Sequence, residues 1–343
     1  MPGVLAAVSR TVLAAVLLCC AVPACADPLE DFYRGRTVTV AFGTEPVGTY
    51  HIYAQMTAEH LARFLPGKPN IIVQSMPGAG GLRAANHLYN VAPRDGTYML
   101  VVVQTVATDQ VLERAGTKYD ARKFNYIGRY SDNTPVVVAW KGAGVISVDV
   151  LRAREVIIGG TGSASPTDII PKLLNEFGGA KFKLITGYKG INDTALAMER
   201  GETHAMIASL AAFQSVFAPL IRDGKAAILL QSAVTRHKDI PDIPTVGEYM
   251  LSPEGRSVAD FMAASSDIGR ALIAPPDVPS ERVQALQKAF ADMAKSPAFL
   301  KDAAARNIDV NPVTGDELKR TVEVTLRAPP GVAAIAKKVL DDK

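Results

Sequence analysis

The chain is poor in cysteine, in histidine and in net charge, and each shortage closes off a class of function. Its three cysteines, Cys19, Cys20 and Cys25, stand at the very start of a 343-residue sequence. Beyond Cys25 there is no thiol for nucleophilic catalysis, for a disulfide or for a cysteine-ligated metal. The five histidines, His51, His60, His87, His204 and His237, form no His-Glu-x-x-His or other dense ligand spacing, so no metal site is expected. His60 and His87 are expected to be partly exposed helix residues. A net charge of +3 with no Lys/Arg stripe argues against a nucleic-acid surface. There is no heptad run, low-complexity tract or internal repeat. After the N-terminal segment no stretch approaches the roughly 20 apolar residues of a membrane span.

The signatures of catalysis are missing too. Gly78-Ala79-Gly80-Gly81-Leu82-Arg83 lacks the third glycine of a dinucleotide fingerprint, and no Gly-Lys-Ser/Thr closes a phosphate loop. Ser163 and Ser165 are not framed as Gly-x-Ser-x-Gly. A secreted hydrolase, which needs a nucleophile and base paired in one loop, finds no support, and neither catalytic residues nor a cofactor are expected.

What is present begins with a leader. Arg10 is the only charged residue before Asp27, Thr11 to Val22 is apolar, and Ala24-Cys25-Ala26 has the small-x-small form of a cleavage site. Residues 1–26 are therefore expected to be a secretory signal peptide. A membrane anchor is disfavoured by the shortness of the run, and lipid attachment at Cys25 by Pro23.

The remainder is too long for one typical domain of roughly 100–200 residues. Strand patterns at 37–42, 70–75 and 98–103 alternate with helix patterns, and the alternation restarts near Val136, with further strands at 155–158, 182–186, 204–208 and 226–231. This predicts βαβ units, a parallel sheet and an α/β fold. Two domains are expected, one made of 27–131 plus 246–343 and the other of 132–245. The C-terminal part reads as mostly helical, with starts at Ser280, at Ser296-Pro297 and at the capping box Thr314-Gly315-Asp316-Glu317.

Four loops share one plan. Each follows a strand, is rich in glycine or small residues, and leads into a helix: Gly43, Thr44, Val47, Gly48 and Thr49; Pro77, Gly78, Ala79, Gly80 and Gly81; Thr161, Gly162, Ser163, Ala164 and Ser165; and Gly187, Tyr188, Lys189 and Gly190. Ligands of open α/β sheets bind outside the carboxyl ends of strands. Helix N-termini offer free N–H groups and the positive end of a dipole, and both favour anions. Four such loops suit an acidic solute. Taken singly, each is an ordinary tight turn.

At these loops the sequence resembles the receptors of tripartite tricarboxylate transporters, the Bug-type or TctC-like binding proteins. The matching segments are Ser75 to Gly81, Ala92 to Thr97, Gly187 to Gly190, Leu196 to Glu202, Pro241 to Glu248 and Ala274 to Pro279. The resemblance implies a type II periplasmic-binding-protein fold, with two α/β domains closing on a small carboxylate, no catalysis, and delivery of the solute by a monomeric receptor to membrane permease subunits. A sensor of the same fold is the alternative use. It further implies that the carboxylate is held by the first two loops, largely through backbone amides and water, and that the second domain supplies the rest. Three positions depart from relatives: Val47 and His51 replace a glycine and an acid, and Lys189 stands in place of a proline. With His51 beside the carboxylate site and Lys189 opposite, a ligand with a second anionic group, such as a dicarboxylate, is expected.

Overall fold

The structure, a computed structural model, describes residues 27–44, 46, 48–162, 165–214 and 216–341. The expected signal peptide lies outside the described residues, as do Val47, Ser163 and Ala164.

Two sheets organise the chain. The strands are β1 (Thr37–Phe42), β2 (Asn70–Ser75), β3 (Tyr98–Val102), β4 (Asn125–Ser131), β5 (Pro135–Trp140), β6 (Val156–Gly159), β7 (Phe182–Ile185), β8 (Ala205–Ser209), β9 (Ala226–Gln231), β10 (Arg270–Ala274) and β11 (Val313–Thr314). The first sheet runs β11-β4-β10-β3-β1-β2 and the second β7-β6-β8-β5-β9. Neither is purely parallel, which corrects the expectation. In the first sheet β10 pairs antiparallel with both β3 and β4, and in the second β5 pairs antiparallel with both β8 and β9. These reversed strands enter each sheet from the crossings between the two units rather than from a βα turn.

Both faces of each sheet are covered, and the period-2 alternation of strand side chains divides the core accordingly. In β3, Met99 and Val101 face one cluster while Tyr98, Leu100 and Val102 face another. In β5, Val137 and Ala139 separate from Val136 and Val138 in the same way. The helices Thr49–His60, Ser280–Lys295 and Pro297–Ala305 cover one face of the first sheet, and Leu82–Asn90 and Gly315–Leu326 the other. The helix Pro253–Ile268 packs on both Gly315–Leu326 and Pro166–Gly178, and the last helix, Pro330–Asp341, also packs on Pro166–Gly178. Val246, Tyr249 and Ala259 share a core cluster with β6 and β8.

Strand direction places the two carboxyl edges face to face. β1, β2 and β3 are parallel, and β4 runs with them because it is antiparallel to β10. β4 thus leaves the first sheet at its carboxyl edge. Residues 132–134 cross over, and β5 begins beside Ser209, the carboxyl end of β8. β9 ends at the same edge, and the chain re-enters the first sheet at Arg270. There Gly269, at φ 57°, turns the helix Pro253–Ile268 into β10, and a Cβ on it would collide with the Ser131 carbonyl oxygen. Only glycine fits both the left-handed backbone and that approach.

Two sequence expectations change, one about the C-terminal part and one about His60. β10 is a central strand in a region read as helical. His60 is buried, 7% exposed, with its Nε2 3.0 Å from Asp302 Oδ2, because the partner carboxylate comes from a helix distant in sequence.

Candidate functional site

The first loop follows β1. Gly43 lies so close to the second loop that a Cβ on it falls 2.9 Å from Gly81 Cα. The Thr44 carbonyl accepts a hydrogen bond from Ser75 Oγ at 2.9 Å, and the Phe42 carbonyl one from the Met76 amide at 2.9 Å. The two loops are thereby held side by side. Gly48 is the N-cap of the helix Thr49–His60 and offers no side chain to its amides. The second loop is built alike: Pro77 and Gly78 lead into the turn Ala79–Gly81, and Gly81 caps the helix Leu82–Asn90 without a side-chain bond. Two helices, one on each face of the first sheet, therefore present first-turn N–H groups with no side-chain acceptor, both at its carboxyl edge.

The second pair differs. Ser165 caps the helix Pro166–Gly178, its Oγ accepting from the Thr167 amide at 3.2 Å. Thr161 donates through its amide to Thr167 Oγ1 and through its hydroxyl to Ser165 Oγ, each at 2.9 Å. Buried Asp168 gathers the Gly162 amide at 3.0 Å and the Thr186 hydroxyl at 2.7 Å. This helix N-terminus already carries its own acceptors and an acid in its first turn, so it favours an incoming anion less than the first pair does. The fourth loop is tied in by the Tyr188 amide donating to the Gly160 carbonyl at 3.1 Å. Gly187 precedes Tyr188, which is half-buried; Lys189 is exposed with no ion pair among the described residues; and Gly190 caps the helix Ile191–Glu199. His51 is half-buried and stacks on Phe42, ring centroids 5.1 Å apart.

The structure thus brings the loops together in two pairs, one on each sheet. No hydrogen bond among the described residues joins one pair to the other. The first rim is tied instead to the crossing, through Arg270 and Gln104, which were not expected from the sequence. Arg270, 8% exposed, donates from Nε to Thr49 Oγ1 at 3.2 Å and from Nη1 to the Asp132 carbonyl at 2.9 Å. The Gln104 amide donates to the Tyr50 hydroxyl at 3.4 Å, and the Gln104 side-chain carbonyl accepts from Asn133 of the crossing. Burial pushes the Tyr50 hydroxyl pKa up, and the Arg270 charge opposes that rise. The one signal for Arg270 in the sequence is a cation at the mouth of an otherwise apolar five-residue run.

One described group of side chains has metal-ligating chemistry: Glu59, His60 and Asp302. Arg306 donates to Asp302 at 2.8 Å and to Glu59 at 2.6 Å, so a cation already occupies this cluster. A groove of about 550 Å³ lined by Ile127, Phe290, Val313 and Glu317 lies on the flank of β4 and shares no residue with the four loops.

The sequence model of the tripartite tricarboxylate transporter family receptor matches residues 53–328. The chain belongs to this receptor family. It is a substrate receptor rather than an enzyme. It is 24% identical over 303 residues to a UPF0065 protein of Bordetella bronchiseptica, covering 87% of this chain and 84% of that one. Among solved structures it is similar to a TctC solute binding protein from Polaromonas, with a TM-score of 0.68 and 18% identity over 91% of this chain and all of the other. It is also similar to MatC of Rhodopseudomonas palustris with bound malate, with a TM-score of 0.61 and 18% identity over 89% of this chain and 99% of that one. A second R. palustris protein, with adipate, gives a TM-score of 0.61 at 19% identity over 88% and 97%. The receptor fold of these proteins, two α/β domains around a cleft, is the fold of this chain.

Proposed function

We propose that this receptor captures a small carboxylate in the periplasm, after removal of a signal peptide at 1–26, and delivers it to the membrane permease subunits of a tripartite tricarboxylate-type transporter. The observation that carries the reading is the pair of helix N-termini, at Thr49 and Leu82, that follow two joined loops and stand without side-chain caps at the carboxyl edge of the first sheet. Their N–H groups and dipoles suit a carboxylate with little need of charged side chains. Gly43, Thr44, Val47, Gly48 and Thr49 with Pro77 to Gly81 hold the carboxylate, and Thr161 to Ser165 with Gly187 to Gly190 close over the rest of the solute. His51 and Lys189 favour a second anionic group, so a dicarboxylate is preferred; relatives of the same fold carry malate and adipate.

The division proposed is 27–131 with 246–343 against 132–245. The helices Val246–Tyr249, Pro253–Ile268 and Pro330–Asp341 form the seam between them, since they pack on elements of both. The receptor works as a monomer.

A thermal-shift screen of mono-, di- and tricarboxylates, aromatic acids and amino acids tests this. A ligand at a hundred times its Kd stabilises the folded state by about 2.7 kcal/mol, which raises Tm by several degrees. A dicarboxylate is expected to give the largest rise. A rise with neutral solutes and none with any carboxylate contradicts the proposal.

A further inference from the structure

Arg270 is a buried cation without a counter-ion among the described residues. A buried charge is normally paired with an opposite one, because removing it from water is unfavourable. Arg129, half-buried at the same junction, also donates to neutral carbonyls, those of Asp267 and Asn311; burial lowers its pKa, and the nearby carboxylates of Asp132, Asp267, Glu317 and Asp309 oppose that shift. Arg270 has two neutral acceptors, the Thr49 hydroxyl and the Asp132 carbonyl, and forms no ion pair with any described carboxylate. A guanidinium offers five N–H donors in a planar fork. Two of these are used, and Nη2 has no partner among the described residues. That nitrogen is also not sealed from solvent.

Its position fits an anion. β10 pairs antiparallel with β3, Ala271 opposite Val102, so Arg270 lies at the carboxyl end of β3. Thr49, to which it donates, opens the uncapped helix of the first loop. A carboxylate lying against that N-terminus has Arg270 beside it, with a charge fixed by two hydrogen bonds rather than carried on a mobile exposed chain.

We propose that Arg270 is the residue that selects a carboxylate, receiving one ligand oxygen on Nη2 while the helix amides receive the other. The inference rests on the carboxylate-receptor reading above and adds the group that enforces it. Because Nη1 holds the Asp132 carbonyl at the start of the crossing, the same side chain joins the anion to the segment between the domains. A charge-assisted, planar contact discriminates against an isosteric amide, which presents donors to donors.

Calorimetric titration of the wild type, Arg270→Gln and Arg270→Lys with malate, adipate, succinate and citrate, and with malamide and adipamide, tests it. The wild type is expected to bind at least one of the acids and to bind the diamides at least 100-fold more weakly. Arg270→Gln should lose at least 100-fold in affinity and Arg270→Lys about tenfold, because lysine keeps the charge and loses the fork. If the wild type binds none of the four acids, the receptor reading falls and this inference with it. If it binds an acid and Arg270→Gln stays within threefold, the receptor reading stands and the role of Arg270 is overturned. Should Arg270→Gln fail to fold, the Nε–Hε NMR resonance of Arg270 in the wild type, assigned by its loss in Arg270→Lys, decides. Displacement of that resonance at saturating acid supports the contact, and an unmoved resonance overturns it.

Discussion

Gly81 stands where two loops meet, with φ at 96° and a Cβ position 2.7 Å from a methyl of Val103. A methyl group there strains the backbone and overpacks the loop at once. Gly81→Ala should destabilise the protein by about 1–3 kcal/mol and weaken carboxylate binding by displacing the helix Leu82–Asn90; urea unfolding and titration of the same sample measure both. An unchanged midpoint contradicts the close-approach argument. At Asp302, burial alone raises the carboxyl pKa, but hydrogen bonds from His60 and Arg306 outweigh it and hold the group below its usual range. A depressed folded-state pKa contributes stability above the unfolded value near about 3.9 and loses it as pH falls through the folded value. Stability of the wild type should therefore drop from about pH 4 downward, and Asp302→Asn should flatten that limb while lowering stability at neutral pH by about 1–3 kcal/mol; denaturant midpoints across pH 2–7 check it. Single residues were the least legible from sequence. His60 read as partly exposed because its partner lies 242 positions away. Arg270 drew no notice because its meaning depends on which strand ends lie beside it.

Elements were legible where their signal was local. The strand–glycine loop–helix units at β1, β2, β6 and β7 follow from alternation and from loop chemistry, and Ser165 with Pro166 opens its helix as expected. β10 was missed for a physical reason. It is five residues long and buried on both faces, so it has neither length nor alternation to separate it from a buried helix segment. β4 carries Gly128 and Arg129 in mid-strand, which obscures its pattern; Gly128 is there because the Phe290 ring presses on it and leaves no room for a Cβ. The mixed sheets escaped for the same reason as β10, since the reversal of that strand is set by the crossing and not by its own residues. Within the second pair of loops Asp168 is the knot. Asp168→Ala frees the half-buried Gly162 amide and the exposed Thr186 hydroxyl together and so unties the two loops from each other. Calorimetry should show solute affinity at least tenfold weaker, with the variant still folded by circular dichroism. Unchanged affinity contradicts a role for the 161–165 and 187–190 loops in closing over the ligand.

At the scale of the molecule, the two carboxyl edges face each other across residues 132–134, and the helix Pro253–Ile268 packs on both Gly315–Leu326 and Pro166–Gly178. That arrangement suits hinge closure: loops on both rims gain contacts only when the domains approach, and only such differential contact lets a solute shift the equilibrium between open and closed. The two-unit plan was visible from sequence because the strand pattern restarts near Val136. The seam was not, because helices that touch both units carry no marker of it in their own periodicity. The most direct measurement is small-angle scattering of the receptor with and without a saturating dicarboxylate whose binding has been established by titration. A fall in the radius of gyration on saturation is the predicted result. Saturated binding with no compaction contradicts capture between the two domains.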